Sequence, residues 1–407
     1  MTSKKKPGKI NKKILIIYLI TLLAMAMFGV WLKSIEAESS WQQTGQVTFT
    51  LGFVLLGAYL IARLMRTAGF PLISGYIVAG IIAGPYITGF LTEKAVDQLR
   101  LVDDLALSFI ALAAGGSLHF NSLRKRLKAI LLNIALLILV VSVLVFSFVF
   151  LFGGCFGFIK TLSSAQIMAL ALLLGVIAVA CSPSSAIAVI DECRATGPFT
   201  EMIMGVTVAV DVLIIILFTL VLTVTKLMLS TTGVVDYSVF VALSIEITVS
   251  FIFGILLGKG LSYYIFKVGH DLPLIILVTA FAVAKASLWA SQVMEQNFDI
   301  SLHLDPLLIC ISAGFTVQNF SETGQKFFES LERISLPVYV LFFSLVGASL
   351  DLRALQITWP LAVSIAVVRI TGIFCATWVA GTLNGDPPQI KSVAWMPDQI
   401  RHNGVSL

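Results

Sequence analysis

Two apolar stretches decide the architecture: residues 165–190 read AQIMALALLLGVIAVACSPSSAIAVI, and residues 202–222 read MIMGVTVAVDVLIIILFTLVL. Each is long enough for a helix that crosses the hydrocarbon core of a bilayer, which takes about 20 residues. The first stretch is interrupted by a proline among serines at Cys181–Ser185, and the second contains a single carboxylate, Asp211. The sequence therefore predicts two transmembrane helices, one broken and one with an ionisable group.

The composition of the whole chain is that of a membrane protein. Of 407 residues, 58% are hydrophobic and only 12% are charged, and the mean hydropathy is +0.99. Soluble proteins carry roughly a quarter charged residues, so soluble enzymes and nucleic-acid-binding proteins are excluded, and the lipid bilayer is the main partner. The five cysteines and four histidines show no spacing typical of a disulfide framework or a metal site, so we expect no cofactor.

Apolar runs separated by polar breaks predict thirteen membrane helices, the last of them incomplete. They lie near residues 14–32, 46–62, 69–85, 101–118, 127–152, 165–190, 202–225, 238–258, 273–293, 304–318, 335–350, 358–382 and 393–407. The first run follows a basic leader and is longer than a signal-peptide core, so residues 1–40 are interpreted as a basic N-terminus with an uncleaved signal anchor. Residues 41–407 then form the transmembrane domain.

Basic residues are concentrated in alternate loops. Arg63 and Arg66, the basic run at 124–128, and Lys326 with Arg333 all fall on one side of the membrane when the helices are traced in order. Because cytoplasmic loops are enriched in Lys and Arg, this pattern predicts a cytoplasmic N-terminus and a multi-pass protein of the cytoplasmic (inner) membrane.

The two halves of the chain share a weak repeat. Ala114–Leu118 (AGGSL) matches Val346–Leu350 (VGASL) at an offset of 232, and the segment from Pro71 matches that from Pro306 at an offset of 235. The paired helices run in opposite directions, which makes this an inverted-topology repeat. The first repeat spans residues 46–225, residues 238–258 form a linker helix, and the second repeat spans 273–407. We expect the second repeat to be incomplete, because a second broken helix would fall beyond residue 407.

The proline-interrupted segment is one candidate for an ion-binding site. Pro183 removes a backbone donor and frees carbonyl groups of the preceding turn, while Ser182, Ser184 and Ser185 offer hydroxyl oxygens. Oxygen-rich unwound backbone of this kind binds small cations in membrane proteins. An ordinary proline kink, with its free carbonyls satisfied by the serines, explains the same residues equally well.

Asp211 is the other candidate. A charged side chain at mid-bilayer costs about 2.5 to 3.5 kcal/mol on insertion scales, so such residues usually face a cavity and serve a function. There a carboxylate can hold a proton or, transiently, a monovalent cation. A salt bridge between helices is the structural alternative, and Arg369, in the middle of a later predicted span, is the natural counter-charge. Glu246 is interpreted as structural or interfacial, while Lys285 and Asp305, at the start of a predicted helix, receive no role.

Three segments carry a family resemblance: Arg63–Pro85 (RLMRTAGFPLISGYIVAGIIAGP), Ser182–Glu192 (SPSSAIAVIDE) followed by the Asp211 helix, and Phe342–Asp351 (FFSLVGASLD) followed by Arg369. They resemble the Kef-type monovalent cation:proton antiporters of the sodium/hydrogen exchanger superfamily over roughly residues 46–400. The resemblance implies an all-α, inverted-repeat antiporter fold with discontinuous helices and a homodimer. It also implies alternating access at Asp211, which binds H⁺ or Na⁺/K⁺ in competition, with Arg369 as the charge-balancing residue.

Two departures from the family pattern affect the functional prediction. Relatives often have Asp or Asn before the ion-binding aspartate, and the Val210 found here favours exchange of one proton per cation. Relatives also continue beyond the segment that corresponds to Arg401–Leu407, so we expect a C-terminally truncated form. Two alternatives stay open at this point: a gated K⁺ efflux channel, and a truncated remnant that inserts into the membrane without transporting.

Overall fold

The computed structural model is built of α-helices. It describes residues 40–385 except 158, 194, 196, 230–237 and 299–303, together with a few residues between 18 and 27. The helices are α1 (Ser40–Thr67), α2 (Leu72–Ala83), α3 (Glu93–Gln98), α4 (Arg100–Ser117), α5 (Phe120–Lys125), α6 (Leu127–Phe152), α7 (Ser164–Ile177), α8 (Pro183–Cys193), α9 (Pro198–Leu229), α10 (Ser238–Lys267), α11 (Leu272–Phe298), α12 (Pro306–Phe320), α13 (Gly324–Ala348) and α14 (Leu352–Leu383). The predicted all-α polytopic fold is confirmed.

Six segments of the described chain are long and apolar enough to cross a membrane. They are Leu127–Cys155, Met202–Lys226, Leu243–Lys267, Leu272–Met294, Gly324–Ala348 and Leu352–Leu383. The helix predicted at 69–85 is shorter in the structure, because Pro71 precedes α2 and Gly84 follows its last residue. Its 12 residues rise about 18 Å, less than the hydrocarbon thickness of roughly 30 Å. The helices predicted at 14–32 and 393–407 lie outside the described residues, apart from isolated helical positions between 18 and 27.

The chain divides into two compact units. The first unit consists of residues 1–106 and 334–352, and the second of residues 107–333 and 353–407. Helices α1–α3 belong to the first unit, α5–α12 and α14 belong to the second, and α4 and α13 contribute to each. The candidate ion-binding residues all lie in the second unit.

In the first unit, α2 and the C-terminal part of α13 cross in backbone contact. Gly80 lies against the carbonyl of Ser344, and Gly347 lies against the carbonyl of Ile77. A Cβ atom at either glycine would collide with these carbonyls, so glycine is required for the close approach. We call this contact the α2–α13 crossing.

The second unit contains a matching contact, the α12–α4 crossing. Gly314 lies against the carbonyl of Leu112, and Gly115 lies against the carbonyl of Ile311. These four residues are those of the α2–α13 crossing shifted by 234 positions in one helix and by 232 in the other. The repeat predicted from the sequence therefore recurs as a repeated packing contact.

A Gly-x-x-x-Gly pair packs α10 against α12 in the second unit. Gly254 lies against Ser312, and Gly258 lies against Ala313 and Thr316. Small residues at this spacing allow membrane helices to approach closely, because van der Waals packing replaces the hydrophobic driving force that lipid does not provide. The sequence pattern GILLG at 254–258 carries this signal.

An apolar core formed by α6, α7 and α9 fixes the helix that carries Asp211. Val141 and Val145 of α6, Ala171 of α7 and Val210 of α9 are fully buried in it. Because Val210 faces this core, the rotation of α9 about its axis is set, and the next residue, Asp211, is directed away from Val210.

Candidate ion-binding site

The helix predicted at 165–190 is discontinuous. α7 ends at Ile177 and α8 begins at Pro183, and residues 178–182 are not helical. The sequence predicts a break centred on Pro183, but in the structure the unwound residues lie just before this proline. The reason is that proline fits the first position of a helix, where its missing N–H would have no intrahelical partner. Pro183 therefore begins the second half-helix.

The serines around Pro183 bond to one another at the start of α8. Ser182 Oγ accepts a hydrogen bond from the backbone N–H of Ser185 at 3.3 Å, and the Ser185 hydroxyl donates to the same oxygen at 3.3 Å. This is the bonding pattern of a helix N-cap, so Ser182 stabilises the half-helix whatever else it does. The side chain of Ser184 lies outside the described part of the chain.

Arg369 extends from the middle of α14 to the unwound segment. Its Nη2 donates to the carbonyl oxygen of Ala180 at 2.5 Å, and its guanidinium is within hydrogen-bonding reach of the Cys181 thiol. Hydrogen bonds from an ionised donor are roughly twice as strong as neutral ones. Arg369 thus stabilises the unwound segment by a hydrogen bond to the backbone carbonyl of Ala180. The predicted role of Arg369 in balancing the charge of Asp211 stays a prediction.

Asp211 lies on α9 and is half-buried. Its carboxylate makes no hydrogen bond and no ion pair with any residue that the structure describes. Cys181 in the break and Asp305 at the start of α12 both lie within electrostatic range of it. Arg369 also lies close to Cys181. The fold therefore brings Asp211, the unwound segment and Arg369 into one neighbourhood.

Asp305 is the residue of this neighbourhood to which the sequence assigned no role. Its Oδ1 accepts the backbone N–H of Leu307 at 2.9 Å and so caps α12, which begins with Pro306. Its own N–H donates to Ser250 Oγ of α10 at 3.3 Å. An Asp-Pro pair before an apolar run is a recognisable sign of a helix start. The proximity to Asp211, by contrast, depends on tertiary packing that no local pattern reports.

The two other ionisable residues noted in the sequence lie on neighbouring helices. Glu246 of α10 is within electrostatic range of Asp305. Lys285 of α11 is exposed, as expected for a long cationic side chain that extends its charge toward the membrane surface. Glu246 therefore lies near the candidate site.

These features define a class of protein. The second unit combines a membrane helix unwound in its middle, a guanidinium bonded to the unwound backbone, and a nearby carboxylate that lacks a fixed partner among the described residues. Secondary transporters bind ions at discontinuous helices of this kind and are commonly built from repeats that are related by symmetry. The fold and the site are those of an ion-coupled secondary transporter.

Comparison with known proteins makes this assignment more specific. Residues 51–388 match the family described as sodium/hydrogen exchanger, transmembrane. This match covers most of the chain, and the protein belongs to that family. It is accordingly a cation:proton antiporter of the membrane and not an enzyme.

The fold is similar to that of the sodium proton antiporter MjNhaP1 from Methanocaldococcus jannaschii. The structure at pH 8 superposes with a TM-score of 0.63 at 16% sequence identity, over 85% of this chain and 80% of that chain. A second structure, an electron-microscopy map, gives a TM-score of 0.64 at 16% identity, over 87% and 81%. At this identity the likeness concerns the fold alone. No curated protein matches the chain by sequence.

Proposed function

We propose that the protein exchanges a monovalent cation, Na⁺ or K⁺, for H⁺ across the cytoplasmic membrane by alternating access at Asp211. The observation that supports this most is the state of the Asp211 carboxylate. It is half-buried on a membrane helix next to an unwound segment, and no described residue bonds to it. A charged group in this setting requires a compensating partner, and a proton or a small cation can provide one.

Exchange follows from the charge of the site. One carboxylate is neutralised by one proton or by one monovalent cation, so the two compete for Asp211. A protein that exposes Asp211 to each side of the membrane in turn therefore releases one ion before it binds the other. A pH difference of one unit supplies about 1.4 kcal/mol per proton, which drives the cation against its own gradient.

The other predicted site residues have supporting roles in this proposal. Ser182, Ser184 and Ser185 line the site together with the carbonyls of the unwound segment, and Arg369 balances its charge when no ion is bound. The sequence motifs support a Kef-type member that works as a homodimer. The distribution of basic loop residues supports an inner-membrane protein with its N-terminus in the cytoplasm.

Cation-induced proton movement in everted membrane vesicles tests the proposal. Addition of Na⁺ or K⁺ should dissipate an imposed pH gradient in vesicles that contain the wild-type protein. Asp211→Asn removes the charge and keeps the side-chain shape, so its signal should fall to that of vesicles without the protein. Asp103 of α4 is also a half-buried carboxylate but lies in the first unit, so Asp103→Asn should retain the wild-type signal.

Two other results would change the interpretation. Equal signals from the wild type and Asp211→Asn would remove Asp211 from the mechanism. A cation flux that neither saturates nor follows the imposed pH gradient would favour the gated K⁺ channel over the antiporter.

A further inference from the structure

A cluster of cations lies where α5 meets α6. Arg124 and Lys125 belong to the last turn of α5, Arg126 directly precedes α6, and Lys128 is the second residue of α6. All four side chains are exposed, and none forms an ion pair with an acidic side chain that the structure describes. We call these four residues the basic segment. Their charges are free to bind an anion from outside the protein.

The basic segment is fixed to two helices of the second unit. Leu123, the residue before it, lies against Gly205 of α9, where a Cβ atom would come within 2.6 Å of the leucine side chain. Phe120, the first residue of α5, donates its N–H to the Asn319 side chain of α12 at 2.6 Å. The chain on which the cations lie is therefore held in position. An anion that binds there loses less free energy in ordering the site.

The basic segment also marks the start of a membrane span. The apolar run of α6 begins at Leu127, between the last two cations. Basic residues that flank a span extend their charges to the level of the lipid headgroups. Below them, α6 presents a row of apolar side chains at multiples of four residues, each more than half exposed: Leu127, Leu131, Leu139 and Val143. A phospholipid can therefore place its phosphate on the cations and an acyl chain along this row.

Neither helix stability nor membrane topology accounts for the clustering. The N-terminus of a helix carries a partial positive charge, so Arg126 and Lys128 are unfavourably placed with respect to the dipole of α6. The positive-inside rule requires basic residues on one side of the membrane, but not their concentration in one short segment. Arg63 and Lys267 each lie over a tyrosine ring, at 5.0 and 5.7 Å from its centroid. Within the described structure no ring covers the basic segment in this way.

We propose that the basic segment binds the phosphate groups of anionic phospholipids, and that the bound lipid stabilises the second unit. Guanidinium and ammonium groups would hold the oxygens of free phosphate by the same hydrogen bonds. The exposed apolar row of α6 favours the lipid, because only a lipid also covers that row. Since Leu123 packs on α9, the lipid supports the helix that carries Asp211. This inference does not depend on which ions the protein exchanges.

The unfolding midpoint of the purified full chain in uncharged detergent micelles tests this binding. A ligand that binds only the folded protein raises the midpoint until its site is full. Increasing mole fractions of phosphatidylglycerol should therefore raise the midpoint to a plateau, whereas zwitterionic phosphatidylcholine and inorganic phosphate should raise it little. Raising the salt from about 0.1 M to about 0.5 M should increase the half-saturating fraction of phosphatidylglycerol several-fold, because salt screens exposed charges.

Paired neutralising variants locate the site. A basic residue near an anionic membrane surface is worth about fivefold in affinity, so Arg124→Gln with Lys125→Gln should raise the half-saturating fraction of phosphatidylglycerol about 25-fold. Lys259→Gln with Lys267→Gln is the matched control, because it removes two exposed cations of α10 that are widely spaced, and it should match the wild type. If the first pair fails to accumulate, Lys128→Gln alone should give about a fivefold increase.

Three results would overturn the inference. Equal rises with phosphatidylglycerol and phosphatidylcholine would mean that lipid covers the apolar row without any selection for charge. An equal rise with inorganic phosphate would assign the cations to a free anion. Equal shifts for the two paired variants would mean that total charge matters and that the basic segment has no special role. Each of these results leaves the Asp211 vesicle assay, and with it the proposed function, unaffected.

Discussion

The two helix crossings share their packing and differ in their chemistry. Both place glycines against backbone carbonyls at equivalent positions. In the α2–α13 crossing, the residue that precedes α2 is Pro71, which makes no side-chain capping bond. In the α12–α4 crossing, the corresponding helix is capped by the Asp305 carboxylate. Close packing is thus encoded twice in this chain, whereas the acidic cap occurs in one of the two copies.

The C-terminal ends of α2 and α12 differ as well. At the end of α12, the Asn319 side chain accepts the N–H of Phe120 at 2.6 Å and donates to the carbonyl of Leu118 at 2.7 Å. At the end of α2, the Leu91 N–H donates to the Ala83 carbonyl at 2.8 Å, and the Thr88 hydroxyl donates to the Ile82 carbonyl at 2.6 Å. The Asn319 side chain therefore ties α12 to the end of α4, whereas the Thr88 hydroxyl bonds within its own segment.

The largest expected effect comes from breaking the shared packing. Gly314→Ala and Gly80→Ala each place a methyl group against a backbone carbonyl, and overpacking of this kind should destabilise the protein by about 2 kcal/mol. Gly260→Ala is the control, because a Cβ there meets no atom within 4 Å and alanine favours helix by up to about 1 kcal/mol. The thermal unfolding midpoint in detergent, followed by tryptophan fluorescence, should fall for the first two variants and rise or stay constant for the control. Equal midpoints for all three would show that the crossings are not close contacts.

Structural features that depend on a local sequence pattern can be predicted from the sequence. α6 runs from Leu127 to Phe152, as hydropathy alone predicts, because nothing within it interrupts the apolar run. The break before Pro183 is also predicted to within a few residues, since proline disrupts the backbone bonding of the preceding turn. The paired glycines could be anticipated from the repeat, but not the helices that each of them contacts.

It is harder to predict from the sequence which residues come together at the ion site. Asp211 is recognisable because an isolated carboxylate in an apolar run is unusual. The bond from Arg369 to Ala180 and the position of Asp305 near Asp211 join segments that are far apart in the chain. Such contacts depend on the glycine-mediated approach of whole helices, and no periodicity within one helix reports them.

A smaller effect is expected from the Asn319 link between α12 and the end of α4. Asn319→Ala removes both the acceptor for Phe120 and the donor to Leu118. Since both bonds are partly or fully exposed to solvent, each should be worth about 0.5 to 1 kcal/mol, and the total loss about 1 to 1.5 kcal/mol. Asn319→Asp keeps the acceptor and loses the donor, so its loss should be about half as large. The same unfolding assay ranks the two variants. Identical midpoints for Asn319→Ala and the wild type would show that the link adds nothing to stability.

The smallest expected effect concerns the acidic cap itself. Asp305→Ala removes the capping oxygen of α12 and should cost about 1 kcal/mol, whereas Asp305→Asn should cost only a few tenths because asparagine caps almost as well. α2 begins after Pro71 without a side-chain cap, so a helix at this crossing does form without one, and Asp305→Ala should fold. Equal unfolding midpoints for the alanine and asparagine variants would mean that the cap contributes little to stability.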